Sequence, residues 1–223
     1  MIVAIDGPAG AGKSTVARAV ADRIGAAYLD TGAMYRALTL VALRRGLDPE
    51  DAGAVAELAA ATSIELEPEA DGALRVRVDD EDVTAAIRDA EVTASVSAVA
   101  AHGPVRERMV ARQREILTRG GWVADGRDIG TTVAPDAEVK VFLTATLEAR
   151  ATRRADELGP GADRADVYEA VRVRDRLDST RAESPLRRAD DAHVIDSTDM
   201  SADEVVEAVV ALAELAGETG ERA

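Results

Sequence analysis

The stretch Ile2-Val3-Ala4-Ile5-Asp6-Gly7-Pro8-Ala9-Gly10-Ala11-Gly12-Lys13-Ser14-Thr15-Val16-Ala17 decides the fold. A short apolar run suited to a buried strand passes through a glycine-rich loop into a helical stretch. Residues Gly7 to Ser14 match the phosphate-loop pattern G-x-x-x-x-G-K-[ST] at every required position. Glycines let backbone N–H groups converge without Cβ clashes. The following helix turns its positive end to the same point. Gly7, Pro8, Ala9, Gly10, Ala11, Gly12, Lys13, Ser14 and Thr15 are therefore expected to cradle the phosphates of a nucleotide. Lys13 adds a mobile charge, and Ser14 a hydroxyl suited to Mg²⁺. The rival dinucleotide fingerprint fails, because Thr15 stands where its third glycine belongs.

The whole chain sets bounds around this loop. Its 223 residues suffice for one sizeable α/β domain, and 47% hydrophobic content supports a real core. Aromatic residues make up 2%, so Ala, Val, Leu and Ile must build that core. The net charge of −15 argues against general binding to nucleic acid or anionic membranes. Any phosphate must be held by a local pocket of positive charge. Cysteine is absent, which excludes disulfides and thiolate metal sites. No apolar run reaches membrane-spanning length. The expectation is a soluble, cytoplasmic monomer. Lysine occurs only at Lys13 and Lys140, and arginine supplies the remaining positive side-chain charge apart from the two histidines. His102 and His193 lack metal-like spacing and read as structural.

Periodicity organises the rest. Helices are expected at 14–24, from Ala33 to Arg45, and from Asp48 to about Ala61. Period-two alternation at Ile64 and Leu66, and again at Leu74, Val76 and Val78, predicts a hairpin around Glu69-Ala70-Asp71-Gly72. Its glutamates and arginines can pair across the polar face, and Asp82 to Thr84 reads as a third strand. Two helices follow, separated at Gly103-Pro104. Buried strands are expected at Ala27–Leu29, Trp122–Ala124, Val139–Ala145 and His193–Ile195. Arginine-rich helices are expected at Leu147–Leu158 and Asp163–Leu177. Ser201 and Glu204 form a capping box for a last helix ending at Gly217, with 218–223 as a loose tail. Five strands alternating with helices predict a five-stranded parallel sheet covered on both faces, carrying a small antiparallel insert and a helical lid. The chain reads as one domain over 1–223. The insert spans 62–94 within an acceptor-binding region at 31–118, and the arginine-rich lid spans 148–178.

Three further stretches fall at the ends of strands or on the lid. They are Asp30-Thr31-Gly32-Ala33-Met34-Tyr35-Arg36, Asp125-Gly126-Arg127-Asp128, and Arg174-Asp175-Arg176-Leu177-Asp178-Ser179-Thr180-Arg181. Ligands of parallel sheets bind at the C-terminal ends of the strands. Bringing one phosphate against another requires arginines from several elements, closing over the site and excluding water.

With those residues in view, the chain resembles the bacterial cytidylate kinases, members of the nucleoside monophosphate kinase family. The resemblance lies in I-D-G-P-A-G-A-G-K-S-T, L-D-T-G-A-M-Y-R, V-R-E-R followed by A-R-Q-R, A-D-G-R-D-I-G-T, V-F-L-T-A, R-x-x-D-S-x-R and the closing V-I-D-S-T. It implies transfer of the ATP γ-phosphate to CMP or dCMP with Mg²⁺. By motif position it places Thr31, Arg36, Ser97, Arg106, Arg127, Asp128, Arg174, Asp178 and Arg181 around CMP. It gives catalytic roles to Lys13, Arg127, Arg150, Arg153, Arg154 and Arg181, with the three α-helical lid arginines facing the phosphoryl groups. Ser14 would meet the metal directly, and Asp30 or Asp125 through water. A phosphate oxygen of CMP is already a nucleophile, so no strong general base is needed.

Two other readings stand beside this one. A kinase for another small acceptor (UMP, AMP or a shikimate-like acid) would use the same loop. An ATP-dependent switch protein would also use it, whereas a guanine switch needs N-K-x-D and this chain has no asparagine.

Overall fold

A computed structural model describes residues 1–69 and 74–220 of the chain. Five strands form one wholly parallel sheet: β1 (Ile2–Asp6), β2 (Ala27–Asp30), β6 (Trp122–Gly126), β7 (Val139–Thr144) and β8 (His193–Asp196). Their spatial order is β2-β6-β1-β7-β8. β1 lies at the centre, in register with β6 (Ile5 beside Asp125) and with β7 (Asp6 beside Phe142).

Alternation along the strands explains the two faces. Val3, Ile5, Val123, Val139, Val141 and Leu143 meet the apolar stripes of α1 (Lys13–Ile24) and α8 (Ala202–Gly220), through Val16, Val20, Val205 and Val209. The intervening Ala4, Trp122 and Ala124 meet Val110 and Leu117 of α5 (Gly103–Leu117), with Ile129 and Val133 from the turn after β6. Trp122, the single tryptophan, is buried at the start of β6. Lys140 interrupts an apolar strand because its stem is buried while Nζ reaches Asp191 Oδ2 at 2.7 Å.

A second cluster is built on α2 (Thr31–Arg44), where Met34, Leu38 and Val41 pack with Val55 of α3 (Ala52–Ala61) and Val92 and Val96 of α4 (Ala90–Val99). The predicted hairpin is present as β3 (Ile64–Pro68) and β4 (Leu74–Val78), joined by a two-residue β5 (Glu81–Asp82). Ile64, Val76, Val78 and Val83 belong to the same cluster as α2, so the insert presses its apolar face onto that helix. Residues 70–73, expected at the hairpin turn, lie outside the described residues. Glu65 and Glu67 stand opposite Arg77 and Arg75 in register. The ion pairs that form run from Arg75 to Glu69 and Asp82, and from Arg77 to Asp80.

Several boundaries shift for local reasons. α2 begins at Thr31, because Asp30 caps it by accepting the Ala33 N–H at 3.0 Å. α3 begins at Ala52 under the equivalent Asp51 cap, while Asp48–Asp51 forms a turn. The two arginine-rich helices expected as a lid are α6 (Leu147–Leu158) and α7 (Arg164–Thr180). α7 runs past Leu177, with Ser179 and Thr180 donating to the carbonyls of Asp175 and Arg176. Ser201 and Glu204 form the expected capping box, but α8 continues through Gly217 to Gly220. Residues 221–223 of the expected tail lie outside the described residues. No described helix is long and apolar enough to cross a membrane.

Candidate active site

The glycine-rich loop, Asp30-Thr31 and Asp125–Asp128 lie together at the C-terminal edge of the large sheet. The loop between β1 and α1 is shaped by close backbone approach. Gly7 has φ +155°, and a Cβ there would run into the Leu143 carbonyl of β7. Gly10, at φ +74°, leaves only 2.8 Å between such a Cβ and the Arg150 carbonyl. Side chains at these two positions would push the loop off both neighbours.

Lys13 is buried and donates Nζ to the Pro8 carbonyl at 2.7 Å. Burial, and then the nearby Arg127, hold its ammonium well below the usual lysine range, against the pull of Asp125. Ser14 Oγ donates to Asp125 Oδ2 at 2.8 Å, and Tyr28 OH to Asp125 Oδ1 at 3.0 Å. Burial and the neighbouring Asp30 push Asp125 up to about 6. Asp30 itself is committed to the Ala33 N–H and to Arg36, at 2.6 Å. Burial would raise its carboxyl, but Arg36 and Arg88 outweigh that and hold it low. Of the two aspartates expected near a metal, Asp125 is thus the one beside Ser14. The exposed Ser14 hydroxyl and the buried Asp125 carboxylate form an oxygen donor set that fits Mg²⁺, which takes few protein ligands alongside phosphates and water.

Beside the loop lies a ring of arginine–aspartate pairs. Thr31 Oγ1 donates to the Asp125 carbonyl at 2.7 Å, tying α2 to β6. Arg127 Nε donates to Asp178 Oδ2 at 2.8 Å, joining β6 to α7. Burial would raise Asp178, yet Arg127, Arg174 and Arg181 hold it below the usual carboxylate range. Arg106, buried on α5, pairs with Asp128 at 2.5 Å and lies 5.4 Å over the Tyr35 ring. Arg181 stands 3.7 Å from Asp128 and 3.8 Å from Asp178. Arg174 Nε is buried without a hydrogen-bond partner, as are Arg36 Nε, Arg181 Nη2 and the Tyr35 hydroxyl. Burial and then Arg127 lower the Arg174 guanidinium to about 10. Buried polar atoms left open within one cluster of charges mark a place where a polar ligand belongs.

Three residues given catalytic roles by their sequence position are engaged elsewhere. Arg150 lies beneath the loop, donating Nη1 to Ala9 O at 3.0 Å and Asp175 Oδ2 at 2.6 Å, and Nε to Ala145 O at 2.9 Å. Arg153 reaches Ser197 after β8. Arg154 pairs with Glu157 on the outer surface of α6. Their spacing, i, i+3 and i+4, sets all three along one side of α6, so it is their different tertiary partners that draw them apart. Ser97 is half-buried on α4, with no hydrogen bond among the described residues.

Asp6, Tyr28, Tyr35 and Asp175 take part in the network without having been singled out. Asp175 bridges lid and loop, accepting the Ala9 N–H at 3.3 Å as well as Arg150. A readable signal existed for Asp6, the one polar residue of an otherwise apolar strand, and for Tyr35, placed inside the D-T-G-A-M-Y-R stretch. Tyr28 and Asp175 depend on tertiary pairing.

A phosphate loop on the central strand, facing a ring of buried arginines at the same sheet edge, defines a kinase-type P-loop α/β protein. The chain belongs to the cytidylate kinase family, whose model matches residues 3–215. It is 51% identical over 212 residues to a cytidylate kinase from Pelotomaculum thermopropionicum, covering 94% of both chains. It is 54% identical over 215 residues to a bifunctional pantoate ligase/cytidylate kinase from Prochlorococcus marinus strain MIT 9303. That match takes in 95% of this chain but 44% of the relative, so the chain spans less than half of the bifunctional protein. An uncharacterized Eubacterium ventriosum protein of known structure shares the fold, with a TM-score of 0.51 at 13% identity, covering 95% of this chain and 96% of its own.

Proposed function

We propose that this protein transfers the γ-phosphate of ATP to CMP or dCMP, yielding ADP and CDP or dCDP. One observation carries the reading. Lys13 and Arg174 are cations held low by burial and by Arg127. Neither has a carboxylate within ion-pairing distance among the described residues. A polyanion between them relieves both. Family membership supports cytidine as the carrier of the acceptor phosphate.

In this reading the β1–α1 loop and Lys13 bind the donor phosphates. Arg36, Arg127, Arg174 and Arg181 bind the acceptor phosphate, and Arg106 with Asp128 reads the base. Lys13 and the arginines offset charge as an acceptor oxygen bonds to the γ-phosphorus and the bond to the β,γ-bridging oxygen breaks. Ser14 and Asp125 would hold Mg²⁺, which supplies charge neutralisation on the donor phosphates when bound. Arg150 and Asp175 shape the loop from below. Residues 31–118, including the insert at 62–94, act as the acceptor region, and 148–178 as a lid that excludes water. Exposed large apolar side chains fall singly on separate elements (Leu158, Leu177, Val194), which supports a monomer, and the proposed place of work is the cytoplasm.

A coupled assay with ATP and Mg²⁺ across CMP, dCMP, UMP and AMP tests the assignment. The expected order puts CMP and dCMP first. A preference for AMP overturns it. ATP hydrolysis that does not depend on an acceptor favours a nucleotide switch.

A further inference from the structure

Asp6 closes β1, directly before the phosphate loop, and its side chain is buried. Its oxygens turn away from the loop. Oδ1 accepts the Ile129 N–H and Oδ2 the Gly130 N–H, each at 2.8 Å. These two donors open the π-type turn Ile129–Val133. The first N–H groups of any helical turn have no acceptor within it. The turn's own bonds run later, from Val133 N–H to Asp128 O at 3.1 Å and from Ala134 N–H to Ile129 O at 2.7 Å. Asp6 therefore caps, from another strand, the segment that begins at Asp128.

Asp128 needs that support. Its backbone sits at φ −148°, ψ 25°, outside both the helical and the extended regions. β6 holds it on one side through Gly126, and the Asp6 carboxylate on the other through residues 129 and 130. The packing has little slack. A Cβ on Gly130 would come within 3.2 Å of Lys140 Cδ and 3.5 Å of Asp6 Oδ2. The charged groups facing Asp6 are Asp128 and Lys13, of opposite sign.

We infer that Asp6 is a positioning residue for recognition of the acceptor base. It fixes the main chain of Asp128, and through it the placement of Arg106 and Arg181, relative to the phosphate loop. One carboxylate at the root of the donor loop thus sets the geometry of the acceptor pocket. This rests on the proposed assignment of Asp128 and Arg106 to the base.

Asp6→Asn tests it in the full chain. The amide keeps the shape but offers one acceptor oxygen, and its NH₂ confronts the other N–H. Hydrogen exchange at the Ile129 and Gly130 amides is expected to quicken by about 10-fold or more. KM for CMP rises and the preference for CMP over UMP falls by about 10²-fold, while KM for ATP holds. In an Asp128→Asn background the same change adds little to KM for CMP, because both act through one side chain. A merely structural role would lower the melting temperature and leave KM and base preference intact. That result, or an additive cycle, overturns the inference. Should Asp6→Asn not fold, Asp6→Ser keeps one acceptor in a smaller side chain and carries the same expectations. The exchange measurement needs no nucleotide. A wild-type protein that ignores CMP defeats the proposed function, and unchanged exchange at 129 and 130 independently defeats the anchoring.

Discussion

Arg174 sits on α7 with no carboxylate within ion-pairing distance among the described residues, its Nε buried and unbonded. Burial and Arg127 both act against its charge in the ligand-free protein. Removing such a charge while keeping an apolar stem relieves the desolvation cost, on the order of 1 kcal/mol. Arg174→Leu is therefore expected to raise the ligand-free melting temperature slightly while cutting turnover by about 10²–10³-fold. A thermal melt beside steady-state kinetics checks both halves, and a fall in both would mean that Arg174 is structural. At this scale the sequence was half legible. Residue types and motif positions marked Lys13, Ser14, Arg127, Arg174, Asp178 and Arg181. Their pairings were not readable, because Arg106 and Asp128 stand 22 positions apart and Arg127 and Asp178 stand 51 apart. The partners of Arg150 and Arg154 show the same limit. Arginine is suited both to phosphate and to carbonyl or carboxylate partners, and only the tertiary neighbours decide which it meets.

Among elements, the lid hairpin and the phosphate loop are joined through Ala9, whose N–H and C=O are both taken by lid side chains. Asp175 holds one directly and orients Arg150 for the other. Asp175→Ala leaves Arg150 buried without its carboxylate. A charged hydrogen bond of this kind contributes about 1.5–3 kcal/mol. Amides of α7 are expected to exchange faster in the variant, with β1 and β6 unaffected. Uniform acceleration across the molecule would mean that lid and core open as one unit. The elements themselves were the most legible part of the sequence. Short apolar runs located every strand of the large sheet, and period-two alternation located the insert hairpin. The boundaries slipped where a side chain made the decision, as Asp30 did in starting α2 two residues early and Asp51 in starting α3 late.

For the molecule as a whole, an acidic chain of net charge −15 brings Lys13, Arg106, Arg127, Arg174 and Arg181 together at one sheet edge. Chain order reverses there: β1 leads outward to β2 on one side and lies against β7 on the other. That reversal opens a crevice between strand ends, where α/β sheets bind ligands. Folding and ligand binding are consequently linked through the same arginines. A ligand at 100 times its dissociation constant adds about 2.7 kcal/mol, which for a chain of this length is a rise of roughly 5–10 °C in melting temperature. ATP with Mg²⁺ and CMP are each expected to produce such a shift, and their effects to add. A shift with AMP alone in place of CMP would assign the second pocket to a purine.

The burial of Trp122 at the far end of β6 has an optical consequence. The same strand carries the lone indole at its start and Asp125 three residues on, about 10 Å away along the strand. Its packing against Val110 and Leu117 shields the ring from water. The protein therefore carries a single indole, separable from its three tyrosines by excitation at the red edge, set in the scaffold behind the crevice at the strand ends. Its emission shifts to the red when the sheet opens and holds nearly constant when only the lid moves. Unfolding can thus be followed in a solution full of nucleotide without any label.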